Sequence, residues 1–197
     1  MTTLTAPPLE GLPALLERSA ALHGHLCPRQ VLGARIGLLA GRVLGLPFPR
    51  SDKRVLVFVE TDGCFADGVS VASGCWLGRR TLRLVDHGKV AATFVDTRTG
   101  QAVRVAPRAD LRRRVREGRP PGQKRWDAYM AAYHTWPDDE LFTVRPARLT
   151  LDLAALISVA GRRTTCDLCG EEIINGREVT GPDGTRCRDC AGERYWR

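Results

Sequence analysis

An α+β core followed by a small cysteine-rich module is the architecture that this 197-residue chain predicts. Three observations carry the expectation. Leucines at helical spacing open the chain, four short β-branched runs follow between residues 54 and 106, and two Cys-x-x-Cys pairs close it. The division falls near residue 150, with a core over 1–150 and a linker and metal module over 151–197.

The elements follow in order. Leu12, Leu15, Leu16 and Leu22, with Ser19 on the same face, predict an amphipathic helix over 11–22 that ends near His23-Gly24. Pro28 suits the first turn of a second helix over 28–45. Cys27 then sits at that helix's N-cap, where exposed N–H groups favour a thiolate. Gly33, Gly37, Gly41 and Gly45 fall four apart on one stripe. Each costs up to about 1 kcal/mol against alanine, so close backbone packing should compensate.

Residues 54–60 read as a buried strand that runs into the polar turn Thr61-Asp62-Gly63-Cys64. A short helix over about 66–74 delivers Cys75. Strand-like runs at 80–85, 89–96 and 101–106 are joined by Asp86-His87-Gly88 and Thr97-Arg98-Thr99-Gly100, both hairpin turns by composition. A three-stranded meander in an antiparallel sheet is the expectation. Residues 107–119 and 124–134 read as two further helices. The second carries Trp126, Tyr129, Met130 and Tyr133 on one face, a stripe expected in the core or at a dimer contact.

The net charge of +8 is concentrated, since residues 108–125 alone carry +6. A solvated basic face is the plain reading, and an anion or nucleic-acid contact is the sharper one. No apolar run approaches the roughly 20 residues that cross a bilayer. The first residues lack the basic start and apolar core of a signal peptide, so a cytoplasmic protein is expected.

Cys166, Cys169, Cys187 and Cys190 form two Cys-x-x-Cys pairs separated by 17 residues. Four thiolates at this spacing predict a closed structural zinc site without catalytic function. Asn175-Gly176 suggests a hairpin between the pairs, and residues 191–197 a short helix after them. Together these predict a treble-clef-like finger, and the first pair alone would also suit a zinc ribbon. Through Cys166-Asp167-Leu168-Cys169-Gly170-Glu171-Glu172-Ile173 and Cys187-Arg188-Asp189-Cys190-Ala191 the module resembles the finger of the TraR/DksA type.

The organising segment of the core is His23-Gly24-His25-Leu26-Cys27-Pro28. Imidazole and thiolate on alternate positions can offer ligands to one soft ion, either zinc or a transition metal. Cys64 at a strand end supplies a further thiol, and Asp62 or Asp67 can orient a ligand histidine. The candidate ligands are His23, His25, Cys27 and Cys64, with Cys27 and Cys64 also the candidate reactive thiols. Plainer roles stand beside these: His23 can cap the first helix, and Cys75 can be a small buried apolar residue. Lys89 can bind an anion at the pocket mouth or simply sit on a turn.

The same segment, with Gly33-Ala34-Arg35-Ile36-Gly37, resembles the first motif of the FmdE family, named after a component of molybdenum or tungsten formylmethanofuran dehydrogenase. Glu60-Thr61-Asp62-Gly63-Cys64-Phe65-Ala66-Asp67 and Ser73-Gly74-Cys75-Trp76-Leu77-Gly78 resemble its second motif. Asp86-His87-Gly88-Lys89 and the strand to Phe94 resemble a third. The likeness covers about residues 15–105. It implies that Cys75 shares the pocket, that the protein forms a homodimer, and that it acts beside a molybdenum or tungsten enzyme. Arg29 and Arg79-Arg80-Thr81 depart from the family pattern and add bulk and charge next to the pocket.

The expected function is thus metal binding in an accessory role for a molybdenum/tungsten enzyme or its cofactor. Two alternatives stand beside it: a stand-alone enzyme using the metal or a thiolate, and a zinc-finger regulator contacting nucleic acid or protein through the basic segment. No glycine-rich phosphate loop or serine triad signature is present.

Overall fold

The structure is a computed structural model that describes residues 11–158 and 161–196. The chain divides into two compact units, Met1–Arg148 and Leu149–Arg197.

In the first unit, α1 (Leu12–His23) buries Leu12, Leu15, Leu16 and Ser19 and leaves Leu22 exposed. It stops at Gly24, whose left-handed backbone (φ +81°) suits a residue without Cβ. The second helix, α2 (Pro28–Leu44), starts on Cys27 as N-cap. Gln30, fully buried, accepts the Cys27 N–H at 2.6 Å and donates to Ser19 O and Oγ, both at 2.9 Å. One side chain therefore closes the start of α2 and ties it to α1.

The chain continues through β1 (Val55–Val59), α3 (Cys64–Ser73) and β2 (Leu82–Leu84). The glycine stripe of α2 meets α3 at backbone distance. A Cβ on Gly33 would run into the Phe65 carbonyl oxygen and stand 2.9 Å from Val69 N, and one on Gly37 would stand 2.6 Å from Ala72 Cβ. Gly68 of α3 reciprocates, facing Gln30 O and Ala34 N. The stripe is a helix–helix seam.

Next come β3 (Ala92–Asp96), β4 (Ala102–Pro107), α4 (Leu111–Glu117), α5 (Arg125–Thr135), α6 (Asp138–Leu141) and β5 (Phe142–Ala147). The sheet order is β2-β1-β3-β4-β5. All neighbours are antiparallel except β1 and β2, which run parallel. The expected meander is corrected here. With α3 between them, β1 and β2 form a β-α-β crossover, and β3 pairs on the other side of β1. Asp86-His87-Gly88 is consequently no hairpin turn. His87 N and Lys89 N both donate to Glu60 O at 3.0 Å, so this segment crosses the end of β1. The turn at Thr97–Gly100 does join an antiparallel pair, β3 and β4.

Charged groups lock two of the seams. Arg35, only 2% exposed, donates to Tyr133 O at 2.8 Å and to Asp138 Oδ1 at 2.6 Å, tying α2 to α5 and α6. Arg54 grips Asp96 through two bonds of 3.2 and 3.0 Å, and Arg98 N–H adds a third at 3.0 Å. The Arg54 guanidinium is the main reason the Asp96 carboxyl is held down at about 2. Its folded value lies below the unfolded value of about 3.9, so its contribution is complete above that pH and disappears as pH falls towards 2. Urea unfolding at pH 5, 4 and 3 should show Asp96→Asn less stable than wild type at pH 5, with the gap shrinking at each step.

The second unit contains α7 (Leu153–Ser158) and two hairpins, β6 (Arg163–Thr165) with β7 (Glu172–Ile174) and β8 (Val179–Gly181) with β9 (Gly184–Arg186). Two sequence expectations change. Asn175-Gly176 follows β7 but does not join a hairpin, because β7 pairs back to β6 across the first cysteine pair. No helix follows Cys190 among the described residues, and Arg197 lies outside them. Among the described residues the module is two hairpins and two cysteine knuckles. No helix among the described residues is long and apolar enough to cross a membrane.

Candidate functional site

Two clusters of ligand-type side chains stand out, one in each unit. In the second unit, the sulfurs of Cys166, Cys169, Cys187 and Cys190 all lie within 4.8 Å of one another. Cys169 and Cys187 are 4.0 Å apart, near the roughly 3.8 Å that four thiolates at tetrahedral zinc require. Backbone N–H groups of the knuckles point at the sulfurs, including Cys187 N to Cys166 Sγ at 3.3 Å and Cys190 N to Cys187 Sγ at 3.4 Å. The N–H groups of Cys169 and Cys187 hold the Cys166 thiol at about 6, whereas the neighbouring Cys187 thiol and burial push Cys190 to about 12. Four such sulfurs ionise together only around a cation. The donor set fits a metal such as zinc, held in a closed shell.

In the first unit, the ends of three helices converge. His23 closes α1, Cys27 caps α2 and Cys64 begins α3. Asp67 Oδ2 lies 2.8 Å from His23 Nδ1, and Cys64 Sγ lies 3.1 Å from His23 Nε2. A carboxylate on Nδ1 fixes the tautomer that turns Nε2 towards the thiol. The Cys27 thiol interacts electrostatically with that of Cys64. His25 packs its ring 4.8 Å from that of His23.

The helix start does not govern the Cys27 thiol. Burial pushes its pKa up and Cys64 adds to this, against the downward pull of the Gln30 and Arg29 N–H groups. The expected thiolate is corrected to a thiol that ionises only with help. Among the described residues, the finger cysteines are the one group of three or more ligand atoms drawn within 4.8 Å. The core set is more open.

His25, Cys27, Cys64 and Lys89 line a cavity of about 770 Å³. Four sequence candidates do not line it: His23 and Asp67 stand behind Cys64, and Cys75 and Asp62 lie elsewhere. Cys75 is 2% exposed, points its sulfur at Val55 O (3.5 Å) and borders a separate small recess with Arg50 and Arg79. Burial raises its pKa, so it behaves as the small apolar residue of the plainer reading. Asp62 is exposed in the loop before α3 and does not line the cavity.

The far wall went unrecognised in the sequence. Trp126, Tyr129 and Tyr133 of α5 face this cavity, with Arg104, Arg108, Arg112 and Arg125 around them. The aromatic stripe is thus neither wholly core nor a free surface. Its signal was present: a basic segment followed directly by aromatics at helical spacing.

Comparison with known proteins matches this geometry to a family. The family model described as FmdE, molybdenum formylmethanofuran dehydrogenase operon, matches residues 22–143. A probable S-adenosyl-L-methionine-binding protein of Archaeoglobus fulgidus is 29% identical over 212 residues. The alignment covers 96% of this chain and 56% of that protein, so the chain spans little more than half the relative's length. The crystal structure of a protein from Syntrophus aciditrophicus, described as like the FmdE component of tungsten formylmethanofuran dehydrogenase, shares the fold. Its TM-score is 0.62 at 22% identity, covering 94% of this chain and 95% of the other. The matched span runs from the end of α1 to the start of β5 and contains all three converging helix ends, and on that match the chain belongs to the FmdE family.

Proposed function

We propose that the core of this FmdE-family protein is an open metal-binding site in which His23, His25, Cys27 and Cys64 are the ligand set. The observation that carries the reading is the Asp67–His23–Cys64 chain, with spacings of 2.8 and 3.1 Å, whose Cys64 end lines the cavity. A carboxylate behind a ligand imidazole is the usual means of fixing its orientation and raising its basicity. Imidazole with thiolate suits zinc or a later transition metal, which would supply Lewis-acid chemistry at the cavity. In this reading the protein serves a molybdenum or tungsten enzyme or its cofactor as a homodimeric accessory; the family's description names the operon of the molybdenum enzyme, which supports the link to that enzyme. The relative's S-adenosylmethionine has a cationic sulfonium, for which no carboxylate lines this cavity among the described residues.

Cobalt(II) titration of metal-free protein tests the core site. Two spectroscopically distinct equivalents are expected, a four-thiolate species from the finger and a mixed nitrogen–sulfur species from the core. Asp67→Asn should weaken only the mixed species, by about 10–100-fold. A single four-thiolate species in wild type overturns the reading.

The same three residues favour a second reading without a metal. His23 Nε2 can take the proton of Cys64 Sγ while Asp67 holds the imidazole, which generates a nucleophilic thiolate. Under it, iodoacetamide labels Cys64 of metal-free protein quickly, and His23→Ala slows the labelling at least tenfold.

A further inference from the structure

The cavity beside the thiols has a charge pattern that the metal reading does not use. Six cationic side chains line it, Arg29, Lys89, Arg104, Arg108, Arg112 and Arg125, and no aspartate or glutamate does. Arg104 is neutralised by Glu60 through bonds of 2.5 and 2.7 Å, and Arg108 lies 3.4 Å from Asp110. Arg29, Lys89 and Arg125 have no carboxylate partner among the described residues, and Arg112 lies over the Tyr129 ring at 5.5 Å. Four uncompensated cations therefore converge on one concavity.

They do not come from a uniformly basic surface. In the same basic segment, Arg113 pairs with Glu117 at 2.8 Å, Arg114 with Glu140 at 2.6 Å, and Arg116 donates to Arg112 O. Of the segment's cations without an acidic partner among the described residues, Arg112 and Arg125 face the cavity, whereas Arg116 and Arg119 donate to backbone carbonyls away from it. Beside them stand Trp126, Tyr129 and Tyr133, the two tyrosine rings 5.6 Å apart. Trp126 is half-exposed, and its ring is free to be covered.

We infer that this cavity binds a small molecule made of a planar ring and a multiply charged phosphate-type anion, a phosphorylated heterocycle. Arginine forks bind phosphate oxygens in pairs, Lys89 adds a point charge, and the ring lies on the aromatic wall. A cavity of about 770 Å³ has room for a nucleotide-sized ligand. The inference rests on the cavity being a ligand site and not on a metal being bound in it.

Calorimetry with the full chain tests it, with ATP, inorganic tripolyphosphate and adenosine as probes. ATP should bind most tightly, tripolyphosphate more weakly and adenosine least. Arg29→Ala and Arg125→Ala should each weaken ATP and tripolyphosphate about tenfold. Trp126→Ala should weaken ATP about tenfold while leaving tripolyphosphate within twofold. Unchanged metal content in the three variants separates this test from that of the metal site. No ATP binding at millimolar concentration overturns the inference, as does adenosine binding as tightly as ATP. A short single-stranded oligonucleotide that binds better than ATP through the same arginines also overturns it.

Discussion

Removing the metal from the four-cysteine cluster is expected to unfold the C-terminal unit around residues 161–190. The cysteine module buries almost nothing apolar: Cys166 and Ile173 are its only buried hydrophobic residues among those described. Its strands are three residues long and form two separate hairpins, and an isolated two-stranded hairpin is marginal in water. Binding at such sites contributes roughly 10–16 kcal/mol of apparent free energy near neutral pH, far more than these hairpins supply. A strong zinc chelator, or Cys187→Ser, should therefore collapse the amide NMR dispersion of Thr164–Cys190. Signals of the core should persist, because Leu12 to Phe142 contain a core cluster of their own. Retained dispersion in the module after complete metal removal would refute this.

Gly68→Ala and Gly33→Ala are expected to be among the most damaging single methyl additions in the core. Each new Cβ would enter the space of a carbonyl oxygen on the facing helix and stand 2.9 Å from a backbone nitrogen. Backbone atoms cannot swing away as a flexible side chain can, so α2 and α3 must separate. A loss of about 3 kcal/mol or more is expected for each, at or above the usual range for overpacking. Gly78→Ala is the control, with open space around its added Cβ and an expected change within about 0.5 kcal/mol. Denaturant melts measure all three. The seam also positions the site, since Gln30 and Phe65 lie next to Cys27 and Cys64, so the damaging variants should lose core metal as well.

What was legible in the sequence was local. Pro28 after Cys27, and Gly24 before it, mark a helix junction by backbone chemistry alone, and the four-residue glycine spacing required a close partner. The Cys-x-x-Cys spacing specified its cluster for the same reason. Strand placement was not local. The run at 80–85 looks the same whether it hairpins to 89–96 or crosses over to lie parallel to β1. The helix at Cys64–Ser73, set between two strands, was the available sign of the crossover. Nor could an aromatic stripe name what it faces, so Tyr129 and Tyr133 read as core until β4, α4 and α5 closed the cavity. The family resemblance implied that Cys75 shares the pocket, whereas its thiol turns towards Val55 and the plainer reading of a small buried residue holds. The Cys27 thiol was misjudged because burial, which outweighs the helix start, is a property of the folded site.

The central claim is that the converging helix ends form a metal site separate from the finger. Metal-to-protein stoichiometry by elemental analysis, on wild type, Cys27→Ser, Cys64→Ser and Cys75→Ser, tests it most directly. The account predicts two metal ions per chain in wild type and Cys75→Ser, and one in Cys27→Ser and Cys64→Ser. One metal ion per chain in all four proteins would contradict it.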